Sequence, residues 1–93
     1  MSVAETIEHK LRARFSPTRI TVTDDSARHA GHAGAQPGGE THFTVVIVSA
    51  AFGGLGRVAR QRLVYETLAQ ELAGGVHALA LTTLAPGEYG PED

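Results

Sequence analysis

The sequence predicts an α+β domain in which a three-stranded mixed sheet is backed on one face by helices. Three observations carry this. Val3, Ile7, Leu11 and Phe15 recur at i+4, the apolar stripe of an amphipathic helix. Two stretches, 20–23 and 41–48, alternate with the period of two that a strand needs. An Arg-rich helical stretch over 57–73 then separates the second strand from a third apolar run, 76–84. A helix between two strands brings the chain back in the same direction, so strands two and three are expected to be parallel. Strands one and two, joined by a loop, are expected to be antiparallel. The order is α-β-β-α-β, with a helical turn expected near Phe52.

The first helix, 3–15, opens on a capping box. The Ser2 hydroxyl serves an orphan backbone N–H, and Glu5 returns the bond three residues on. Lys10, Arg12 and Arg14 lie off the apolar stripe. Pro17 biases Ser16 away from helical geometry and ends the helix. Ile20 and Val22 then alternate with Thr21 and Thr23 as a half-buried strand.

Asp24 to Gly39 reads as a loop, with four glycines, one proline and two histidines and no periodicity. Its length exceeds a tight hairpin turn, and loops of that length are usually functional or mobile. In the second strand, Thr41 to Val48, the residues Phe43, Val45 and Ile47 face one way, and Thr44, Val46 and Val48 the other. Apolar residues on both faces mark a central strand. Gly53, Gly54 and Gly56 signal a sharp connection. On a wheel of about 100° per residue, Val58, Val64, Tyr65, Leu68, Ala69 and Leu72 share an arc expected to face the core. Arg60, Glu66, Gln70 and Glu71 fall outside it, as does the apolar Leu63. Gly74-Gly75 stops the helix. Pro86 closes the expected domain, 1–86, and leaves 87–93 as a flexible tail.

Composition bounds the function. Ninety-three residues with 42% apolar content suit one small domain with a moderate core. A formal charge of −2 argues against a domain-wide footprint for nucleic acid, though not against a local basic patch. There is no cysteine, so no disulfide forms and no thiolate is on offer to a metal. Any iron held by this chain takes His, Asp or Glu from it and sulfur from elsewhere. The N-terminus lacks the apolar segment of a signal peptide, and no apolar run reaches the length of a membrane span. A cytoplasmic protein is the simplest expectation.

The pattern shows no nucleophile with a base and no paired carboxylates, and Ser49 reads as a helix-start residue, so no enzyme is expected. The histidines remain. His9 lies off the helical stripe and is expected to be solvated. His42 faces opposite to Phe43 and is expected to be structural, an imidazole hydrogen-bonded near the start of its strand. His77 opens the third strand straight after Gly74-Gly75; its spacing fits a strand-end residue and a metal ligand equally well. His29 and His32 form a His-x-x-His in the loop, a weak metal signal by itself. Arg57, Arg60 and Arg62 make a basic cluster that suits a solvated face, a carboxylate partner or nucleic-acid phosphates. Gly53-Gly54-Leu55-Gly56 fits the GXXG loop of KH domains but is read as a turn.

Four motifs stand in order along the chain: Gly38-Gly39-Glu40-Thr41-His42-Phe43, Val48-Ser49-Ala50-Ala51-Phe52, Val58-Ala59-Arg60-Gln61-Arg62-Leu63-Val64-Tyr65 and Val76-His77-Ala78-Leu79. Together they resemble the BolA family over nearly the whole chain, with Gln61 standing where the family usually carries His. The resemblance implies a KH-like α-β-β-α-α-β fold. It also implies a protein that binds a monothiol glutaredoxin and co-ligates a 2Fe-2S cluster for iron-sulfur trafficking or sensing. In that arrangement the glutaredoxin cysteine and glutathione supply thiolates, and the isolated chain is expected to carry no cluster. His77 matches one nitrogen ligand of the family and His32 the other, with His29 in reserve. The alternative is a DNA-binding transcriptional regulator of stress response and cell morphology, using Arg57, Arg60 and Arg62. A third reading is a structural adaptor; an exposed strand edge or Leu63 would support a homodimer.

Overall fold

The structure, a computed structural model, describes residues 2–25 and 41–88. His29, His32 and residues 89–93 therefore lie outside the described residues. Helix α1 (Val3–Phe15) leads into strand β1 (Arg19–Asp24). Strand β2 (His42–Val48) is followed by a single 3-10 turn, Ala50–Phe52. Helices α2 (Arg57–Thr67) and α3 (Ala69–Gly74) then lead into strand β3 (Ala78–Leu84). The sheet order is β1-β2-β3, antiparallel between β1 and β2 and parallel between β2 and β3, as the connections predict.

Helix α1 begins and ends where its sequence says. The Glu5 N–H donates to Ser2 Oγ at 3.1 Å and the Ser2 N–H donates to Glu5 Oε1 at 2.8 Å, both halves of the capping box. At the other end Ser16, ahead of Pro17, takes a left-handed conformation (φ 44°, ψ 56°), and its N–H donates to the Arg12 carbonyl. The stripe between them is buried at Ile7, Leu11 and Phe15. It packs in one core with Phe43, Val45 and Ile47 of β2, Phe52 of the 3-10 turn, and Val64 and Leu68. Phe15 and Phe52 meet at 5.0 Å between ring centres. The buried Ser49 joins them: its hydroxyl donates to the Phe15 carbonyl at 2.6 Å and accepts from the Ala51 N–H, the helix-start role its position suggests. The opposite sheet face is open to solvent at Thr21, Thr23, Ala80 and Thr82.

The second helical stretch departs from the expected arc. Val58 is 67% exposed and Tyr65 40% exposed, while Leu63, placed outside the arc, packs on the core. The inward positions are instead Arg60, Leu63, Val64, Thr67, Leu68 and Leu72, spaced by three and four. Leu68 leaves helical geometry (φ −105°, ψ 21°) and splits the stretch into α2 and α3, so one wheel over 57–73 mixes two axes. Lys10 ties α3 to α1 through Glu71 at 2.8 Å and Gln70 at 2.9 Å. Gly75 takes φ 155° at the end of α3, a backbone angle that L side chains rarely adopt, and its N–H donates to the Glu71 carbonyl.

Candidate functional site

Parallel pairing of β2 with β3 brings two histidines to one corner of the sheet. His42 opens β2 opposite Ala78, and His77 is the residue just before Ala78. It precedes β3 rather than opening it, because the strand begins at Ala78. The N–H groups of His77 (2.8 Å) and Ala78 (3.2 Å) both donate to the carbonyl of the buried Thr41. The imidazoles lie nearly parallel, 17° between planes, with centres 6.3 Å apart. His77 is exposed and His42 half-buried. Thr41 Oγ1 lies 2.8 Å from His42 Nδ1, the kind of partner that fixes an imidazole's orientation and tautomer. The expected structural hydrogen bond of His42 is thus present. Its place beside His77 was not foreseen, although a parallel register with 42 opposite 78 contains it.

The same corner anchors both ends of the loop that carries His29 and His32. Before the loop, the Asp25 N–H donates to the His42 carbonyl at 2.7 Å. After it, Thr41 holds the start of β3 as described above. Asp25 and Thr41, the described residues on either side of 26–40, therefore each hydrogen-bond the backbone of one member of the His42–His77 pair. His9 is exposed on α1, away from β3 in the sequence and with no described part in this corner. Among the described residues no group of three or more His, Cys, Asp or Glu is placed to hold a metal ion. Among them, too, no helix is long and apolar enough to cross a membrane.

The three arginines separate. Arg57 and Arg62 are exposed on α2. Arg60 turns to the far end of β3, with its side chain only 11% exposed. Its guanidinium donates to Glu88 Oε1 (2.6 Å) and Oε2 (3.0 Å), to the Leu55 carbonyl (2.9 Å) and to the Thr83 carbonyl (3.1 Å). Hydrogen bonds from Arg60, and then from the Ala85 N–H, hold the Glu88 carboxyl at about 2, against an ordinary 4.5. The contact with Glu88 in turn raises the Arg60 guanidinium above its usual range. Glu88 lies two residues beyond Pro86. The Gly53-Gly54-Leu55-Gly56 segment is a turn, with Gly53 closing the 3-10 turn and Gly56 capping α2.

The family model described as BolA-like protein matches residues 11–88. The DNA-binding transcriptional regulator BolA of Escherichia coli is 47% identical over 89 residues, covering 96% of this chain and 81% of that protein. The solved structure of BolA1 from Arabidopsis thaliana aligns with TM-score 0.83 at 38% identity, over 95% of this chain and 96% of that one. The BolA domain of SufE1 from Arabidopsis thaliana aligns with TM-score 0.84 at 42% identity, over the same shares. Sequence and three-dimensional arrangement agree, and the chain belongs to the BolA-like protein family.

Proposed function

We propose that this chain binds a monothiol glutaredoxin and shares a 2Fe-2S cluster with it as cargo. His77 supplies one nitrogen, and a loop imidazole, His32 or in its place His29, supplies the other. One observation carries the reading: the exposed His77 sits at the corner where both ends of the histidine-bearing loop are anchored. The chemistry of the donors fits. The chain has no cysteine, so thiolates come from the partner and glutathione. Neutral imidazole suits iron, and imidazole in place of thiolate raises a cluster's potential. This is the role of a binding protein in the cytoplasm, not of an enzyme. The test is to co-purify the full chain with its own monothiol glutaredoxin and record visible absorption and circular dichroism. A spectrum distinct from that of the glutaredoxin alone supports the reading; an identical spectrum counts against it.

A second reading, DNA binding, is supported by the name of the Escherichia coli relative, a DNA-binding transcriptional regulator, and by the outer surface of α2. There Arg57 and Arg62 are exposed on the same helix as the exposed Val58 and Tyr65. In this reading the two exposed arginines meet phosphates, which position a protein without reading sequence. Arg60, already committed to Glu88 and two carbonyls, takes no part.

A further inference from the structure

We propose that the outer edge of β3 pairs with the same edge of a second copy of this chain, joining two sheets into one about a two-fold axis. β3 is the last strand of its sheet, with β2 on one side only. In an extended strand, successive residues point their N–H and C=O groups to opposite sides. The Ala78 N–H donates to the Thr41 carbonyl, and the Leu84 carbonyl accepts from the Ser49 N–H. Ala78, Ala80, Thr82 and Leu84 therefore face β2, and Leu79, Leu81 and Thr83 face outward. Arg60 takes the outward Thr83 carbonyl at 3.1 Å. Leu79 and Leu81 have no hydrogen bond outside the sheet, so each presents a free N–H and a free C=O along the edge.

The occupant follows from what this edge lacks. Exposed edges are commonly guarded by charge, proline or a bulge. Ala78–Leu84 holds only Ala, Leu and Thr, and its register with β2 is unbroken. The other edge, β1, carries Arg19 and Asp24. Open space lies beside β3: a groove of about 370 Å³ separates its C-terminal half from Leu55, Arg57 and Gln61. An uncharged edge meets its own copy without repulsion, and antiparallel pairing is the arrangement that a two-fold axis generates. One register uses the free groups and no others. It sets Ala80 opposite the partner's Ala80. Leu79 and the partner's Leu81 then exchange both of their hydrogen bonds, and so do Leu81 and the partner's Leu79. The Arg60 bond to Thr83 stays in place. On the helix face, the half-buried Leu79 and Leu81 gain apolar contact across the junction. On the open face only small residues meet, Ala80 with its copy and Ala78 with the partner's Thr82.

The experiment uses the full chain without glutaredoxin, so its outcome is separate from that of the cluster reading. Sedimentation velocity over a range of concentrations should show a reversible monomer–dimer equilibrium. Ala80→Lys sets two like charges directly opposite, with Cα atoms about 4.5 Å apart, and should raise the dissociation constant at least about tenfold. Thr21→Lys, the matching change on the open face of β1, should leave it within about twofold. Both positions are exposed, and amide dispersion reports that each variant is folded. Because the chain has no cysteine, introduced thiols report the register. With oxidised glutathione, Ala80→Cys should give a disulfide-linked dimer, since the paired Cα atoms fall within disulfide range. Thr82→Cys should not, its two copies lying roughly 14 Å apart. A mixture of Ala78→Cys and Thr82→Cys should cross-link. Three results overturn the proposal: a chain that stays monomeric up to millimolar concentration, a dimer weakened by Thr21→Lys but not by Ala80→Lys, or cross-linking of Thr82→Cys as readily as Ala80→Cys.

Discussion

At the C-terminal end of β3, charge is closed on itself. Arg60 spends its guanidinium on the Glu88 carboxylate and on the Leu55 and Thr83 carbonyls, and Glu88 also accepts from the Ala85 N–H. At the N-terminal end of the same strand, the backbone and His42 Nδ1 are engaged by Thr41, and His77 is left exposed. Thr41 pins the start of β3, while the His77 side chain stands in solvent beside His42. Both ends hold polar residues of the kind that draws attention in a sequence. The difference shows where each belongs. A group whose hydrogen-bonding capacity is consumed within the domain stabilises the fold; an exposed one on a rigid backbone is available to a partner.

The largest expected effect falls on the open end. His77→Ala should abolish the distinctive spectrum of the glutaredoxin heterodimer while the two proteins still co-elute. Its unfolding free energy should stay within about 0.5 kcal/mol of wild type, as for surface substitutions generally. A retained spectrum would remove His77 from the ligand set; a large loss of stability would show that this end is structural after all.

The closed end should respond in the opposite way. Arg60→Ala leaves Glu88 and two carbonyls without their guanidinium, so it should lower the urea midpoint more than Arg57→Ala or Arg62→Ala does. Amide exchange should quicken around Thr83 and Ala85 and stay unchanged near Thr41. An Arg60→Ala midpoint equal to those of the two exposed arginine variants would break the contrast between the ends.

The same clamp predicts an acid limb. The Glu88 carboxyl titrates at about 2 in the folded chain against an ordinary 4.5, so its folded pKa is depressed. Its contribution is therefore complete above about 4.5 and is lost as pH falls toward about 2. Glu88→Gln should flatten stability against pH in that window and change little at neutral pH beyond the loss of the charged contact. Chemical-denaturant midpoints at several acid pH values measure this. An undiminished acid slope in the variant would assign the limb to other carboxylates.

How far the sequence discloses these ends follows from what each depends on. Ile7, Leu11 and Phe15, and the alternation of Phe43, Val45 and Ile47, are local patterns, and they bury where their periods place them. The inward side of α2 was not legible, because an apolar wheel has no place for an arginine facing in. Arg60 does so only because Glu88, 28 residues later, meets it. Val58 and Tyr65 fall on the apolar arc for the same reason, since hydrophobicity alone does not tell an exposed face from a buried one. The nearness of His42 and His77 is a product of register between strands, not of spacing along the chain. His77 as a ligand came from family resemblance, and its exposure at a rigid corner supplies a physical ground for it.

The smallest expected effect concerns the outer surface of α2, where Arg57 and Arg62 are exposed. If they hold DNA phosphates, affinity should fall with salt, at a log-log slope of about −0.9 for each phosphate neutralised. Arg62→Glu should weaken binding to all sequences alike and reduce the magnitude of that slope by about one. Fluorescence anisotropy with a short duplex across a range of salt concentrations measures both. Arg60→Ala, in conditions where it remains folded, should leave the slope unchanged, because its guanidinium already faces Glu88. A slope that drops for Arg60→Ala but not for Arg62→Glu would mean that the clamp opens to receive a phosphate, and the division between closed and available charge would fail at Arg60.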